Sequence, residues 1–330
     1  MNVWDLHCDT LAELRYAERR GAPKSFAEND LQIDLRKLQQ GGYLLQCFAC
    51  FVNLGEEPQS PLQAVLEEID LFYRLLDQYP QLVQVRTPAD IAALPGSGRI
   101  GAMLTVEEGG VCLDDPAMLR TLYRLGVRMM TLTWNYKNGL ASPNVVPGNV
   151  DDVWPCEAVT DAGLTEKGLE FLAEMERLHL IADVSHLSDA GIRDVLAHAG
   201  RPFAASHSNA RALCGHVRNL TDEMIRAMGE RGCLIGLNYC ASFLDANPDR
   251  HAVESRVTDM ARHARYLCDL GGEDILALGS DFDGIGGRLE LTGAQDMPKL
   301  ADGLLQAGFT ERQVEKIFYK NAMRFFEENL

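Results

Sequence analysis

Eight short runs of apolar residues recur along the chain at fairly even intervals. Several are nearly continuous in apolar residues, which is typical of parallel strands that are covered on both faces. The runs occupy residues 3–8, 44–52, 100–106, 128–133, 180–185, 203–206, 233–237 and 276–280. The pattern therefore predicts eight parallel β-strands.

Segments with a helical spacing of apolar residues lie between most of these runs. They cover residues 61–79, 165–178, 188–198, 221–231, 257–270 and 298–307. Thr165, Ser188 and Thr221 stand where N-capping side chains are expected. The first run starts at residue 3 and the last at residue 276, so that one strand–helix unit takes about 39 residues. This spacing favours an α/β fold of the (β/α)8 TIM-barrel type.

A doubly wound sheet is the alternative, but the glycine motif at 96–101 precedes a strand instead of following one, as a dinucleotide site requires. We therefore predict a single (β/α)8 domain over residues 1–330. A segment near 135–163 is rich in Asn, Pro, Gly and Asp and predicts a long loop within that domain. Long loops in compact domains are usually functional or mobile.

The charge balance narrows the choice of partners. The chain has 31 Lys and Arg against 48 Asp and Glu, a net charge of −17. A field of this sign repels phosphate backbones and anionic lipid, so we expect neither a nucleic acid nor a membrane as partner. The N-terminal sequence MNVWDLHCDT lacks the features of a secretory signal. We predict a cytoplasmic protein with reduced cysteines, in which the CxxC at 47–50 is part of a strand.

Residues capable of chemistry concentrate at the carboxyl ends of the predicted strands, where barrel enzymes place their active sites. Five of the eight strand ends carry a histidine or a carboxylate, and His7, His186 and His207 are three of only eight histidines in the chain. Alternate residues on a strand point the same way, so His7 and Asp9 can face one ion.

Two further histidines and a bridging glutamate would complete the ligands for two divalent ions. Imidazole with carboxylate suits zinc, and manganese or cobalt are alternatives. Only one of the adjacent Glu107 and Glu108 can face the barrel mouth. Taken alone, His186 could be a core histidine, His207 a loop residue and Asp281 a loop cap.

Together these motifs resemble the membrane dipeptidase (renal dipeptidase) family, the M19 metallopeptidases, which belong to the amidohydrolase-type metal-dependent barrels. The resemblance extends over essentially the whole chain. The segments that carry it are DLHCDT at 5–10, VEEGG at 106–110, LGVRMMTLT at 125–133, GLTEKG at 163–168, IADVSH at 181–186, SHSNA at 206–210, HVRN at 216–219 and GSDFDG at 279–284.

The resemblance implies two Zn²⁺ ions per chain and assigns their ligands. His7 and Asp9 would hold one ion, and His186 and His207 would hold the other. The glutamate directly before Gly-Gly bridges both ions in the family, and this selects Glu108 over its neighbour.

The resemblance also assigns residues to the substrate. Arg218 would bind the substrate carboxylate, and Asp281 would accept the proton of the water that bridges the metals. Many members carry a histidine after the LTLT run, whereas this chain has Trp-Asn-Tyr there. Tyr136 or Asn135 is the candidate to donate a hydrogen bond in place of that histidine. From their position at the end of the fourth strand, Trp134 and Tyr136 are predicted as pocket walls or core, and Tyr239 is a third candidate for substrate binding.

The predicted function is hydrolysis of the peptide bond of dipeptides and other short peptides by a metal-bridging hydroxide. The main alternative keeps the metals but changes the bond, as in an N-acyl amino acid deacylase, a lactonase or a phosphoesterase. A barrel without activity that serves binding or assembly is a third hypothesis, which the missing histidine alone supports. The resemblance further implies a homodimer.

Overall fold

A closed ring of eight parallel strands forms the centre of the protein in the computed structural model, which describes residues 1–57, 59–145 and 157–330. Around the ring the strand order is β1-β2-β4-β5-β6-β7-β8-β10, and β10 pairs with β1. The strands are β1 Val3–Asp5, β2 Tyr43–Phe51, β3 Leu82–Gln84, β4 Ile100–Glu107, β5 Val127–Thr131, β6 Ile181–Asp183, β7 Ala204–Ala205, β8 Leu234–Leu237, β9 Glu254–Ser255, β10 Leu276–Leu278 and β11 Arg288–Leu289.

Helices surround the ring and connect its strands. The α-helices are α1 Thr10–Arg19, α2 Leu35–Gly41, α3 Pro61–Gln78, α4 Pro88–Ala92, α5 Pro116–Arg124, α6 Glu166–Leu178, α7 Asp189–His198, α8 Asp222–Glu230, α9 Ala241–Leu244, α10 Val257–Gly271, α11 Met297–Gln306, α12 Glu311–Glu315 and α13 Asn321–Asn329. Short 3₁₀ turns cover Gly109–Cys112, Arg250–Ala252 and Ala294–Asp296, and a π-helical turn covers Lys316–Lys320.

The barrel prediction is confirmed, and each of the eight predicted runs overlaps one strand of the ring. The closed ring rules out the doubly wound alternative. The strand β3 was not predicted. It pairs with the first residues of β4, on the same side of β4 as β5, which pairs with the later residues of that strand. All six predicted helices are present, and Thr165, Ser188 and Thr221 each accept a hydrogen bond from a backbone N–H in the first turn of the helix that follows.

The amino ends of the strands are closed by apolar side chains. Trp4, Met103 and Met129 fill this end of the barrel, together with Phe326 of α13. The ring of Phe326 stacks on Trp4 with a centroid distance of 5.5 Å. Because this end is filled, the cavity that contains the polar strand ends opens at the opposite, carboxyl face.

Three smaller predictions have different outcomes. The described parts of the predicted long loop, 135–145 and 157–163, contain no helix or strand, and residues 146–156 lie outside the described residues. Cys47 and Cys50 are buried free thiols within β2, as the strand prediction implies. No helix in the described ranges is both long enough and apolar enough to cross a membrane.

Candidate metal centre

Five buried side chains converge at the carboxyl face of the barrel. His7 and Asp9 follow β1, Glu107 ends β4, His186 follows β6 and His207 follows β7. Because all strands of the ring are parallel, their carboxyl ends meet at one mouth, and residues far apart in sequence become neighbours.

Left-handed backbone conformations occur at two of the strand ends that surround the site. His186 has a φ of 70° and Asp281, which follows β10, has a φ of 64°. Residues other than glycine rarely adopt this left-handed backbone, and it costs on the order of 1–3 kcal/mol at each position. The surrounding packing must offset this cost, and it does so at the strand ends where the polar groups converge.

Glu107 lies at the centre of the cluster and contacts three imidazoles. Its Oε1 is 2.9 Å from Nε2 of His186 and 3.5 Å from Nε2 of His207, while its Oε2 is 3.2 Å from Nε2 of His7. Two groups of potential metal ligands therefore share this carboxylate: His7, Asp9 and Glu107 form one, and Glu107, His186 and His207 form the other.

The structure does not bring Glu108, the predicted bridging residue, into the cluster, and Glu107 lies there instead. The carboxylate of Glu108 turns away from the cluster and accepts hydrogen bonds from the backbone N–H of Gly110 and of Trp134, and from the side chain of Asn138. The phase of β4 could have indicated this arrangement. Met103 points into the barrel, and Glu107 lies four residues further along, on the same face of the strand.

The donor set fits divalent metal ions. Nε2 of His7 and Oδ1 of Asp9 are buried and have no hydrogen-bond partner among the described residues. Nε2 of His186 lies 3.0 Å from Nε2 of His207. Two imidazole lone pairs that face each other repel unless a cation lies between them, and imidazole with carboxylate is a donor set that zinc accepts.

Neighbouring polar groups fix the orientation of both histidines of the second group. Nδ1–H of His186 donates to Oδ1 of Asn135 at 2.8 Å, and Nδ1 of His207 lies 2.7 Å from Oγ of Ser206. Ser206 Oγ in turn donates to the buried carboxylate of Asp183. With Nδ1 engaged, each ring presents the lone pair of Nε2 to the cluster, an arrangement typical of metal-bound histidine.

Burial and mutual charge set the ionisation of the cluster. Burial lowers the pKa of His186 to about 4 and, with the charge of His7, holds the pKa of His207 well below its ordinary value. Burial also raises the pKa of Asp9 to about 8. Burial alone would lower the pKa of His7, but the carboxylates of Glu107 and Asp9 outweigh it, so the pKa of His7 is raised. His186 and His207 are therefore neutral at pH 7, the form that binds a metal.

Asp281 lies beside the cluster, and only one of its carboxylate oxygens accepts a side-chain hydrogen bond from the described residues. Its Oδ2 accepts a hydrogen bond from Nδ2 of Asn238 at 2.9 Å, and its Oδ1 is 3.9 Å from Nε2 of His7. Burial raises the pKa of Asp281 to about 6. A carboxylate with this pKa and one free oxygen can take up and release a proton near neutral pH.

A cavity of about 300 Å³ opens beside the cluster. Among the predicted substrate-binding residues, Trp134 lines it and packs edge-on against Phe51 with a centroid distance of 4.9 Å. Tyr136 lies behind Trp134 and does not line the cavity. Tyr239 is buried against Phe282 in the core, so its prediction as a substrate-binding residue is not supported by its position.

Arg218 is buried next to the site but is not one of the residues that line the cavity. Its Nη2 donates to the backbone oxygen of His207 at 3.3 Å, and its guanidinium lies over the ring of Phe243, which lines the cavity. Its Nε is buried and has no hydrogen-bond partner among the described residues. The sequence did not single out several lining residues, which come from the helices and turns after the strands: Glu13, Tyr16, Cys240, Phe243 and Ile285.

Comparison with known proteins assigns this chain to a family. The family model of membrane dipeptidase (peptidase family M19) matches residues 1–329. The chain belongs to the M19 membrane dipeptidase family. A curated relative from Klebsiella pneumoniae, described as a protein in the pqqA 5′ region, is 31% identical over 268 residues, which are 81% of this chain and 96% of the relative.

Two solved structures are similar over the whole chain. A metallopeptidase from Rhodobacter sphaeroides, bound to a phosphinate mimic of the dipeptide L-Ala-D-Ala, is 25% identical with a TM-score of 0.87 and covers 100% of this chain and 99% of its own. A dipeptidase of family M19 is 26% identical with a TM-score of 0.88 and covers 100% and 98%. The predicted class of enzyme is confirmed: the chain is a metallo-dipeptidase, a hydrolase of the M19 family.

Proposed function

We propose that this enzyme hydrolyses dipeptides with the help of two zinc ions, one held by His7, Asp9 and Glu107 and the other by Glu107, His186 and His207. The observation that carries the proposal is the position of Glu107, whose two carboxylate oxygens face the two halves of the cluster. A carboxylate shared by two groups of ligands would suit a site that holds two divalent ions.

Two divalent ions in this site would polarise the peptide carbonyl and lower the pKa of a water molecule. Asp281 is suited to accept the proton of the attacking water and to pass it to the leaving amine, because its pKa of about 6 allows both directions. Asn238 holds the other oxygen of Asp281 and so aims the free one.

The size and the charge of the site support a short substrate. The apolar plug at the amino ends of the strands limits the depth of the cavity, and a volume of about 300 Å³ is at the lower end of ligand sites. Arg218 is proposed to bind the C-terminal carboxylate, because its Nε is buried without a partner among the described residues and because such a fork pairs well with carboxylates. The Rhodobacter sphaeroides relative binds a phosphinate mimic of the dipeptide L-Ala-D-Ala.

The decisive experiment compares two adjacent glutamates. Glu107→Gln is expected to lower the zinc content of the purified protein and to reduce cleavage of L-Ala-L-Ala and L-Ala-D-Ala by more than about 100-fold. Glu108→Gln is the matched control, since its side chain accepts hydrogen bonds outside the cluster and should leave the metal content near two per chain.

Equal metal loss in both variants, or in neither, would contradict the proposed bridge. Two metals per chain without dipeptide cleavage would instead indicate one of the other bonds, such as an N-acyl amide, a lactone or a phosphoester. No metal in a folded, zinc-supplemented protein would overturn the mechanism altogether.

A further inference from the structure

One carboxylate on the cavity wall stands apart from the rest of the site. Glu13 lies in the first turn of α1, and its backbone N–H donates to the carbonyl of Asp9 at 3.2 Å. It is therefore one helical turn beyond a proposed metal ligand, a rise of about 5.4 Å. Its side chain lines the cavity together with Tyr16, one turn further on the same helix side.

The other carboxylates of the cavity wall already have partners or face the metal cluster. Asp9, Glu107 and Asp281 surround that cluster. Asp283 accepts hydrogen bonds from Oγ1 of Thr10 at 2.7 Å and from the backbone N–H of residue 32 at 2.6 Å.

Glu13 differs from them, because no ion pair or side-chain hydrogen bond involves its carboxylate within the described ranges 1–57, 59–145 and 157–330. The nearby Arg15 is engaged by Glu68 and Glu57. No Lys or Arg of the described residues lines the cavity. The guanidiniums of Arg15 and Arg20 lie over the ring of Tyr16, at 5.0 and 5.8 Å from its centroid, so they stand near this wall without lining it. Among the residues that line the cavity, the carboxylate of Glu13 therefore has no cationic partner.

The barrel topology sets the direction of a substrate relative to Glu13. Arg218 belongs to the segment after β7, and Glu13 follows β1, three strands away around the ring of eight. If Arg218 takes the C-terminal carboxylate of a dipeptide, the N-terminal residue extends across the mouth toward α1. In that pose the α-ammonium would lie beside the scissile carbonyl, and Glu13, one helical turn beyond Asp9, would face the side chain of the N-terminal residue. A long side chain is the part of the substrate that reaches Glu13.

We propose that Glu13 determines specificity by selecting dipeptides whose N-terminal residue carries a basic side chain. The inference rests on the proposed dipeptidase function and deepens it. The four-carbon stem of lysine spans the distance that one helical turn adds, and its ammonium would pair with a carboxylate that lacks a partner.

The test measures a ratio of two substrates on the zinc-loaded enzyme. Lys-Ala and norleucine-Ala have side chains of nearly equal length, and only lysine is charged. The kcat/KM for Lys-Ala is expected to exceed that for norleucine-Ala by about two- to fivefold, the upper part of the range for partly exposed ion pairs. Glu13→Gln should bring this ratio close to one, and Glu13→Lys should invert it.

The ratio is the appropriate measure, because a loss of metal or of folded protein lowers both rates together. Glu18→Gln is the matched control: Glu18 lies on the same helix, is exposed, pairs with Arg74 and should leave the ratio unchanged. Titration calorimetry with phosphinate mimics of the two dipeptides should show the same difference in Kd.

The possible failures are distinguishable. If the enzyme cleaves both dipeptides with a ratio near one, or if Glu13→Gln keeps the wild-type ratio, the role of Glu13 is refuted and the dipeptidase function stands. If the zinc-loaded enzyme cleaves neither dipeptide, the proposed function fails, and the role of Glu13 falls with it.

Discussion

At the amino ends of the eight strands the barrel is filled by Trp4, Met103 and other apolar side chains, whereas at the carboxyl ends it is lined by histidines and carboxylates. The backbone conformation also differs between the two ends of the barrel. His186 and Asp281 adopt left-handed conformations at the carboxyl face, and Nε2 of His7 is buried there without a hydrogen-bond partner among the described residues.

The difference assigns separate tasks to the two ends. Burial of large apolar side chains stabilises the fold at the amino ends, at about 25 cal/mol per Å². At the carboxyl ends, strain and unpaired polar atoms lower stability and are compensated when a ligand binds. Substitutions at the carboxyl ends of the strands should therefore change activity, and substitutions at the amino ends should change stability.

The largest effect is expected at the carboxyl face, for Asp281→Asn. The amide keeps the size and the contact with Asn238 but cannot carry the proton, so kcat should fall by about 10²–10⁴-fold. Zinc content and Tm should stay near the values of the unmodified enzyme. Loss of one zinc in this variant would instead show that Asp281 is a ligand, since it also lies within ligand distance of His7 and His207.

The next effect is on stability, from Phe326→Ala at the opposite end. The ring is fully buried against Trp4, so its removal should lower the free energy of unfolding by about 3–5 kcal/mol. The kcat of the folded fraction should remain. Phe243→Ala is the matched control at the mouth, where the ring is only partly buried. It should cost less stability and should change KM. Equal stability losses would break the division between the two ends.

The fold was predictable from sequence because its cause is local. A parallel strand buried on both faces must be apolar throughout, so each strand of the ring left a visible run. The predicted strand bounds were less accurate. The first run was predicted to extend to residue 8, but β1 ends at Asp5, and His7 and Asp9 lie in the segment that follows it. The helix α1 was not predicted, although it carries Glu13 and Tyr16.

The site was predictable only in part, because its walls depend on contacts between distant segments. The strand-end histidines could be found, since a barrel brings strand ends together whatever the loops do. The prediction of Glu108 followed a motif, whereas the inside–outside phase of β4 brings Glu107 into the cluster. Phe243 and the core position of Tyr239 depend on how the segment after β8 folds back, and no local pattern encodes that.

A third effect concerns the pH dependence of stability and arises behind the mouth, at His263. Its Nδ1 accepts from the backbone N–H of Ala210, its Nε2–H donates to the carbonyl of Leu244, and burial lowers its pKa to about 4. Above pH 6.5 the imidazole is neutral in both the folded and the unfolded chain. Between pH 6.5 and 4 only the unfolded chain takes up the proton, so stability should fall as the pH falls, by about 3 kcal/mol at pH 4.

His263→Gln keeps a donor and an acceptor but does not titrate. Denaturant unfolding of both proteins in the same metal state should show that the variant loses about 3 kcal/mol less than the unmodified protein between pH 6.5 and pH 4. His198→Gln, a change at an exposed histidine, should leave the profile as it is. An identical pH profile for His263→Gln and the unmodified protein would contradict the neutral, doubly hydrogen-bonded form of His263.

The smallest effect is expected from Asn135, which follows the tryptophan that stands where many family members have a histidine. Its Oδ1 accepts from Nδ1–H of His186 and so turns Nε2 toward Glu107. Asn135→Ala should weaken zinc binding at the second group of ligands by about 10–100-fold, as loss of an outer partner of a metal-bound histidine does. Competition with a zinc chelator measures this affinity without reference to activity.

Asn135→Asp restores an acceptor for the same N–H and should recover most of the affinity. If Asn135→Ala binds zinc as tightly as the unmodified enzyme, the orientation of His186 comes from its own strained backbone, whose φ is 70°. Strain at the strand end would then be sufficient to aim this ligand, and the polar groups of the loop after β5 would serve the substrate instead of the metal.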